Sequence, residues 1–136
     1  MDFLKSIAIA ASGLRAQAGR MRIISENIAN ADSTAQRPGA EPYRRKIPTF
    51  QSEVTRALDA RVVSLGRVQP DSSEFRLKYE PGHPAADAQG NVKYPNVNSL
   101  VEMTDMREAQ RSYEANVNII TATRRMLQRT IDILKV

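Results

Sequence analysis

Apolar side chains recur at alternating spacings of three and four near both ends of this chain. Near the start, Leu4, Ile7, Ala11, Leu14, Ala18, Met21, Ser25 and Ile28 share one seam, interrupted only by the serine. Near the end, Met103, Met106, Gln110, Tyr113, Val117, Ile120, Arg124, Leu127, Ile131 and Leu134 repeat the spacing, with Gln110 and Arg124 as polar breaks. The pattern predicts two long helices whose narrow apolar stripe suits a coiled-coil neighbour better than a broad globular core. All seven prolines lie between Pro38 and Pro95, so both helices are free of the residue that most strongly breaks them.

Capping chemistry sets the predicted ends. Asp2 can cap the first helix, and Asn30, Asp32 and Ser33 are poor interior residues, which gives a helix over about residues 3–30. Ser99 followed by Glu102 reads as a capping box, with Asn98 as a competing cap, so the second helix starts at about 100. Glu102, Asp105, Glu108 and Glu114 lie toward its start and Arg124, Arg125, Arg129 and Lys135 toward its end, which complements the helix dipole and supports one uninterrupted helix to about 134. At 1.5 Å per residue the two helices are roughly 40 and 50 Å long. Alanines, Gly13 and Gly19 crowd the first helix and weaken it in isolation. The two glycines point to tight packing against a neighbour.

Between the helices, Tyr43 to Val54 reads as an irregular strand interrupted by Pro48, Arg61 to Val68 as a β-branched strand with Gly66 and Phe75 to Tyr79 as an alternating one, together able to form a small twisted sheet. The resulting fold class is α+β: two long terminal helices, within residues 1–32 and 99–136, forming a coiled-coil-like helical layer, with a small irregular β-containing middle at 33–98. A middle so short and so rich in proline and charge builds only a small core. Burial of the helix seams therefore has to come from other subunits.

Composition narrows the function. The chain is 41% hydrophobic and 26% charged, ordinary values for a single domain. Asp2, Lys5, Arg15, Arg20 and Arg22 interrupt the first helix too often for it to span a bilayer, and the run continues at helical period past any signal-peptide cleavage site. There is no cysteine, which removes disulfides, thiolate metal sites and cysteine catalysis. His83 is the single histidine; it sits in a Gly-His-Pro turn with no companion ligand, and its expected role is structural, with Asp87 able to accept its hydrogen bond. No nucleophile–histidine–acid spacing or glycine-rich phosphate loop is present. An enzyme is not expected, and no cofactor or metal is implied.

The net charge of +5 is spread along the chain, with local clusters at Arg44, Arg45 and Lys46 and at Arg124, Arg125 and Arg129. One reading of these clusters is phosphate contact; the other is solvated surface or intersubunit pairing with Asp and Glu. Aromatic residues, needed for base stacking, make up only 5% of the chain.

Two stretches carry a more specific signal. Residues 25–34, Ser-Glu-Asn-Ile-Ala-Asn-Ala-Asp-Ser-Thr, followed by Pro42-Tyr43-Arg44-Arg45-Lys46, resemble the N-terminal signature of the bacterial flagellar rod and hook proteins. The closing helix, with Met106-Arg107-Glu108-Ala109-Gln110-Arg111-Ser112-Tyr113-Glu114-Ala115-Asn116-Val117, is similar to the C-terminal signature of that family. The middle segment, with residues 79–85 and 94–98, is most similar to the proximal rod members. The loop from Ser33 to Glu41 lacks the Thr-Pro-Gly-Tyr order of many relatives and delays the Pro-Tyr pair to Pro42-Tyr43.

The resemblance implies a structural subunit exported by the flagellar type III apparatus and assembled into the basal-body rod across the periplasm, where it helps to transmit torque. Its implied partners are other rod proteins, the rod-to-export-gate adaptor, copies of itself and, in transit, the export apparatus, with no nucleic acid and no membrane span. The implied assembly residues combine the seam positions Leu4, Ile7, Leu14, Met21, Ile28, Met106, Tyr113, Val117, Ile120, Leu127, Ile131 and Leu134 with Asn27, Asn30, Tyr43 and Asn116 of the signatures. Phe50 and Val54 fit a Phe-x-x-x-apolar pattern that resembles an export recognition element; Phe50 as core is the other reading. The alternative function is a basic helical module binding nucleic acid or an acidic partner through Arg124, Arg125, Arg129 and the Arg44 to Lys46 run. A small secreted helical adaptor is a third.

Overall fold

A computed structural model describes residues 2–135. Helix α1 spans Phe3–Ala29 and helix α2 spans Ser99–Leu134. Between them lie six short strands: β1 (Lys46–Ile47), β2 (Phe50–Thr55), β3 (Ala60–Leu65), β4 (Gln69–Pro70), β5 (Arg76–Tyr79) and β6 (Asn91–Tyr94). The fold is α+β, but the middle does not form one sheet. It forms three antiparallel two-stranded ribbons, β1 with β4, β2 with β3 and β5 with β6. The sequence pattern missed β4 and β6 and ran through Gly66, whereas the break at Pro48 falls where expected, between β1 and β2.

The helix ends follow local chemistry with one correction. Asp2 Oδ1 accepts the Lys5 N–H at 3.1 Å, and Asn30 closes α1 by donating its side-chain amide to the Glu26 carbonyl at 2.8 Å. The expected Ser99 and Glu102 capping box does not form. Asn98 is the cap, its Oδ1 accepting the Leu100 N–H at 3.1 Å, because the Glu102 carboxylate is drawn into a buried hydrogen-bond network instead.

The chain packs as two compact units, each drawing on both helices. One unit holds the segments up to Met21, Thr49–Arg67 and from Arg107 on. Its helices run antiparallel, with Arg20 paired to Glu108 at 3.6 Å. Their fully buried positions are small: Ala10, Ser12, Ala16, Ala109 and Thr123. A Cβ on Gly13 would lie 2.9 Å from the Asn116 side-chain amide, so this glycine lets α2 approach closely. Ser12 Oγ accepts the outward-facing Val63 N–H of β3 at 3.2 Å, which seats the β2–β3 ribbon on α1.

The other unit holds Arg22–Pro48 and Val68–Met106. Ile23, Ile24, Ala31, Val92 and Val97 form its apolar core, and the buried Asn27 and Glu102 share that interior. In β1–β4, Lys46 stands opposite Pro70 while the Asp71 N–H bonds the Arg45 carbonyl at 2.8 Å. That phase turns the Lys46 backbone away from β4, so proline sits where no ladder donor is needed.

Candidate functional site

The second unit is organised around one side chain. Asn27, in the last turn of α1, is fully buried. Its Nδ2 donates to the Lys46 carbonyl at 2.8 Å and to Glu102 Oε2 at 3.1 Å. Its Oδ1 accepts the Lys46 N–H at 2.9 Å and the Tyr43 hydroxyl at 2.8 Å. All four hydrogen-bonding positions of the amide are used. By bonding both backbone groups of Lys46, it completes the edge of β1 that faces away from β4, much as a third strand would.

Glu102, with 1% of its side chain exposed, binds the other face of this network. Its Oε1 accepts from Arg45 Nε at 2.5 Å, and Arg45 also reaches Asp71 at 3.3 Å and Asp105 at 3.8 Å. Burial pulls the Arg45 pKa down, but the hydrogen bonds and charges of Glu102 and Asp71 outweigh it and hold the guanidinium above its ordinary value. Burial raises Tyr43, consistent with a phenol kept neutral as a donor to Asn27. Asn96 Oδ1 accepts the Arg45 N–H at 2.8 Å, tying the approach to α2 into the same cluster.

The basic run at 44–46 is therefore internally engaged. Arg44 donates to the carbonyls of Asp71 and Ser73 at 2.8 and 3.0 Å and lies over the Phe75 ring at 4.2 Å. Lys46 Nζ meets Glu26 at 2.9 Å. All three cations already have partners within the chain, although the Lys46 side chain stays 45% exposed.

Three carboxyls of this unit titrate below their ordinary values. The hydrogen bond and charge of Lys46 lower Glu26, the backbone and side-chain hydrogen bonds from Ser73 lower Asp71 ahead of Arg45, and Lys78 and the Tyr94 hydroxyl lower Glu80. A carboxyl depressed in the fold stabilises it fully above the unfolded value and loses that contribution as pH falls through the folded value. Thermal melting is expected to be flat from neutral pH to about 5 and to drop steeply below about 4, the ordinary carboxylate range. An Asp71→Asn, Glu26→Gln variant should show a shallower acid limb in the same melts; an unchanged limb would discount these pairs.

The remaining candidate residues fall into two groups. Asn27 and Tyr43 meet in the network, while Asn30 turns back to its own helix. Ile7, Leu14, Met21, Ile28, Met106, Tyr113, Asn116 and Ile120 are half-buried. Leu4, Val117, Leu127, Ile131 and Leu134 are exposed, by 72% at Leu4 and 78% at Leu134. From Arg124 to Leu134 every position of α2 is exposed, so the large apolar side chains of its last three turns are only partly covered within the chain, least of all Ile133 and Leu134 at 72% and 78%. Phe50 and Val54 are exposed on β2, at 43% and 58%, which removes the reading of Phe50 as core.

Reading the sequence missed Arg45, Asp71, Asn96 and the network role of Glu102. The available signal was an acid four residues after Asn98 in a helix start that already had a competent cap. His83 also differs: its Nδ1 accepts the Ala85 N–H at 3.0 Å and its Nε2 lies 3.3 Å from Thr34 Oγ1. Asp87 instead accepts the N–H groups of Gln89 and Asn91. Among the described residues no cluster of potential metal ligands is present, and no helix is long and apolar enough to cross a membrane.

Comparison with known proteins places these features in context. Residues 7–35 match a model described as flagella basal body rod protein, and residues 88–133 match one described as flagellar basal body rod FlgEFG protein C-terminal. A flagellar basal-body rod protein FlgC of Agrobacterium fabrum is 54% identical, with 99% of this chain and 98% of the relative covered. The FlgC proteins of Bacillus subtilis and Salmonella typhimurium are 38% and 37% identical, covering 99% and 96% of this chain and 100% and 97% of their own.

Proposed function

This chain belongs to the flagellar basal-body rod protein family represented by FlgC, and on that premise we propose that it is a structural subunit of the rod which assembles through the faces its own fold leaves open. The observation that carries the reading is the uncovered end of α2. Leu127, Ile131, Ile133 and Leu134 are exposed together on a helix whose intrachain contacts use small residues. Burying such side chains against neighbours contributes about 1.5 to 3 kcal/mol each before ordering costs. Leu4 lies beside Leu127 in a groove, so the start of α1 contributes to the same surface.

The neighbours in this reading are other rod proteins, further copies of this chain and the adaptor that joins rod to export gate. The nucleic-acid alternative loses half of its support, because Arg44, Arg45 and Lys46 are paired within the chain, which leaves it only the exposed Arg124, Arg125 and Arg129.

Export is the second part of the proposal. Phe50 and Val54 lie four residues apart on the exposed strand β2, where an export component can read them. In cells carrying a tagged chain, purified basal bodies should contain the tag; basal bodies without it would overturn the structural role. Phe50→Ala should cut the amount of chain exported several-fold while leaving its cytoplasmic level unchanged. Export equal to the parent chain would remove Phe50 from recognition and leave the rod assignment standing.

A further inference from the structure

Two of the three β ribbons carry an unpaired edge, and hydrogen-bond phase identifies which residues present it. In β2–β3 the Val63 N–H points away from β2 to Ser12 Oγ. Its partner Ser52 is therefore in a pair that turns its backbone outward, as are Phe50 and Val54 two residues on either side. In β5–β6 the Glu80 N–H bonds the Gly90 carbonyl at 2.8 Å, and the Asn91 N–H and carbonyl bond Asp87 on the far side of β6. Leu77 and Tyr79 thus turn their backbone groups outward from β5. Among the described residues nothing bonds either set of outward groups. Val54, Leu77 and Tyr79 are also exposed, by 58%, 65% and 70%.

Unpaired edges of this kind template pairing with another chain. We propose that β2 of one copy adds antiparallel to β5 of a second copy, making a four-stranded sheet in the order β3, β2, β5, β6 across the subunit boundary. One register satisfies both phases and the charges. Val54 faces Leu77 and Ser52 faces Tyr79 as hydrogen-bonded pairs, which puts Glu53 opposite Lys78 in the closer, non-hydrogen-bonded position. Glu53 has no ion-pair partner among the described residues. Lys78 is 65% exposed and touches Glu80 at 2.6 Å, leaving ammonium protons to share.

A shift by two residues would set Glu53 against Arg76, but that guanidinium already donates to the carbonyls of Ala31 and Pro95. Pairing β5 with β5 in phase sets Arg76 against Lys78, a repulsion, whereas β2 with β5 joins opposite charges. Because the two edges differ, the contact is head to tail and extends from copy to copy instead of closing a dimer. This inference rests on the reading that copies of this chain meet in the rod.

The absence of native cysteine makes cross-linking selective. A chain carrying Glu53→Cys and Lys78→Cys, oxidised in isolated basal bodies, is expected to give dimers and higher species on non-reducing gels, with neither single variant doing so. Normal rods whose double-cysteine subunits stay monomeric would overturn the pairing while leaving the rod role intact. Should the double-cysteine chain fail to enter rods, charge reversal decides. Glu53→Lys and Lys78→Glu should each weaken incorporation about two- to fivefold, and the swapped double variant should restore it. A swap no better than the single reversals overturns the inference.

Discussion

Glu102→Ala is expected to destabilise the second unit by about 3 to 5 kcal/mol, the usual cost of removing one partner from a buried ion pair. The carboxylate accepts from Arg45 and from Asn27 in a site with 1% side-chain exposure. Its loss leaves the Arg45 Nε–H and one Asn27 amide proton without an acceptor, while Asp71 and Asp105 still face the rest of the guanidinium. Glu102→Gln should cost less, about 1 to 3 kcal/mol, because one amide oxygen still serves Arg45 while the amide nitrogen opposes the Asn27 donor. Urea denaturation followed by tryptophan-free probes, such as far-ultraviolet circular dichroism, gives the comparison. An alanine variant as stable as the parent would mean that the network does not hold the unit together.

Ile131→Asp is expected to do the reverse, leaving the isolated chain as stable as the parent within about 0.5 kcal/mol while abolishing its recovery in rods. Ile131 is 40% exposed on a stretch of α2 where no position is buried, so the carboxylate reaches solvent in the free subunit. In an assembled interface the same position loses roughly 1.5 to 3 kcal/mol of apolar burial and adds the cost of desolvating a charge. Together these correspond to at least about a hundredfold loss of incorporation. Melting temperature and basal-body content measured on the same variant separate the two effects. Normal recovery of Ile131→Asp in rods would show that this face is not the assembly surface.

The contrast between these residues explains what a linear reading could and could not resolve. The i, i+3, i+4 pattern located both helices because apolar periodicity survives whichever neighbour covers it. It did not distinguish cover within the chain from cover by another subunit. Ala109, Asn116 and Thr123 line the actual intrachain side of α2, one position away from the more conspicuous seam of Gln110, Val117 and Arg124. Hydrophobicity marked the seam, whereas small size decided which face of the helix approaches its neighbour.

The network at Asn27 was only partly legible for a related reason. Asn27 and Tyr43 stood out through their family signature, but Asp71 and Glu102 lie 26 and 57 residues along the chain from Arg45. The one local mark on Glu102, an acid in a helix start that Asn98 could already cap, does not show that it is buried; it reads as a cap partner until the fold brings a guanidinium to it. The ribbons show the same division. Alternation placed β2, β3 and β5, but β4 and β6 are short and irregular, and only pairing with a partner strand defines them.

Local chemistry along the chain was enough to set two uninterrupted helices, their approximate ends and a proline-rich middle, because periodicity, capping and residue type act over a few neighbours. Three-dimensional packing alone decided that the Arg44 to Lys46 run is spent inside the chain, that Asn98 displaces Ser99 as the cap, and that the large side chains at the end of α2 stay uncovered. Those outcomes depend on which distant groups compete for the same donor, acceptor or face, and that competition exists only once the chain has folded.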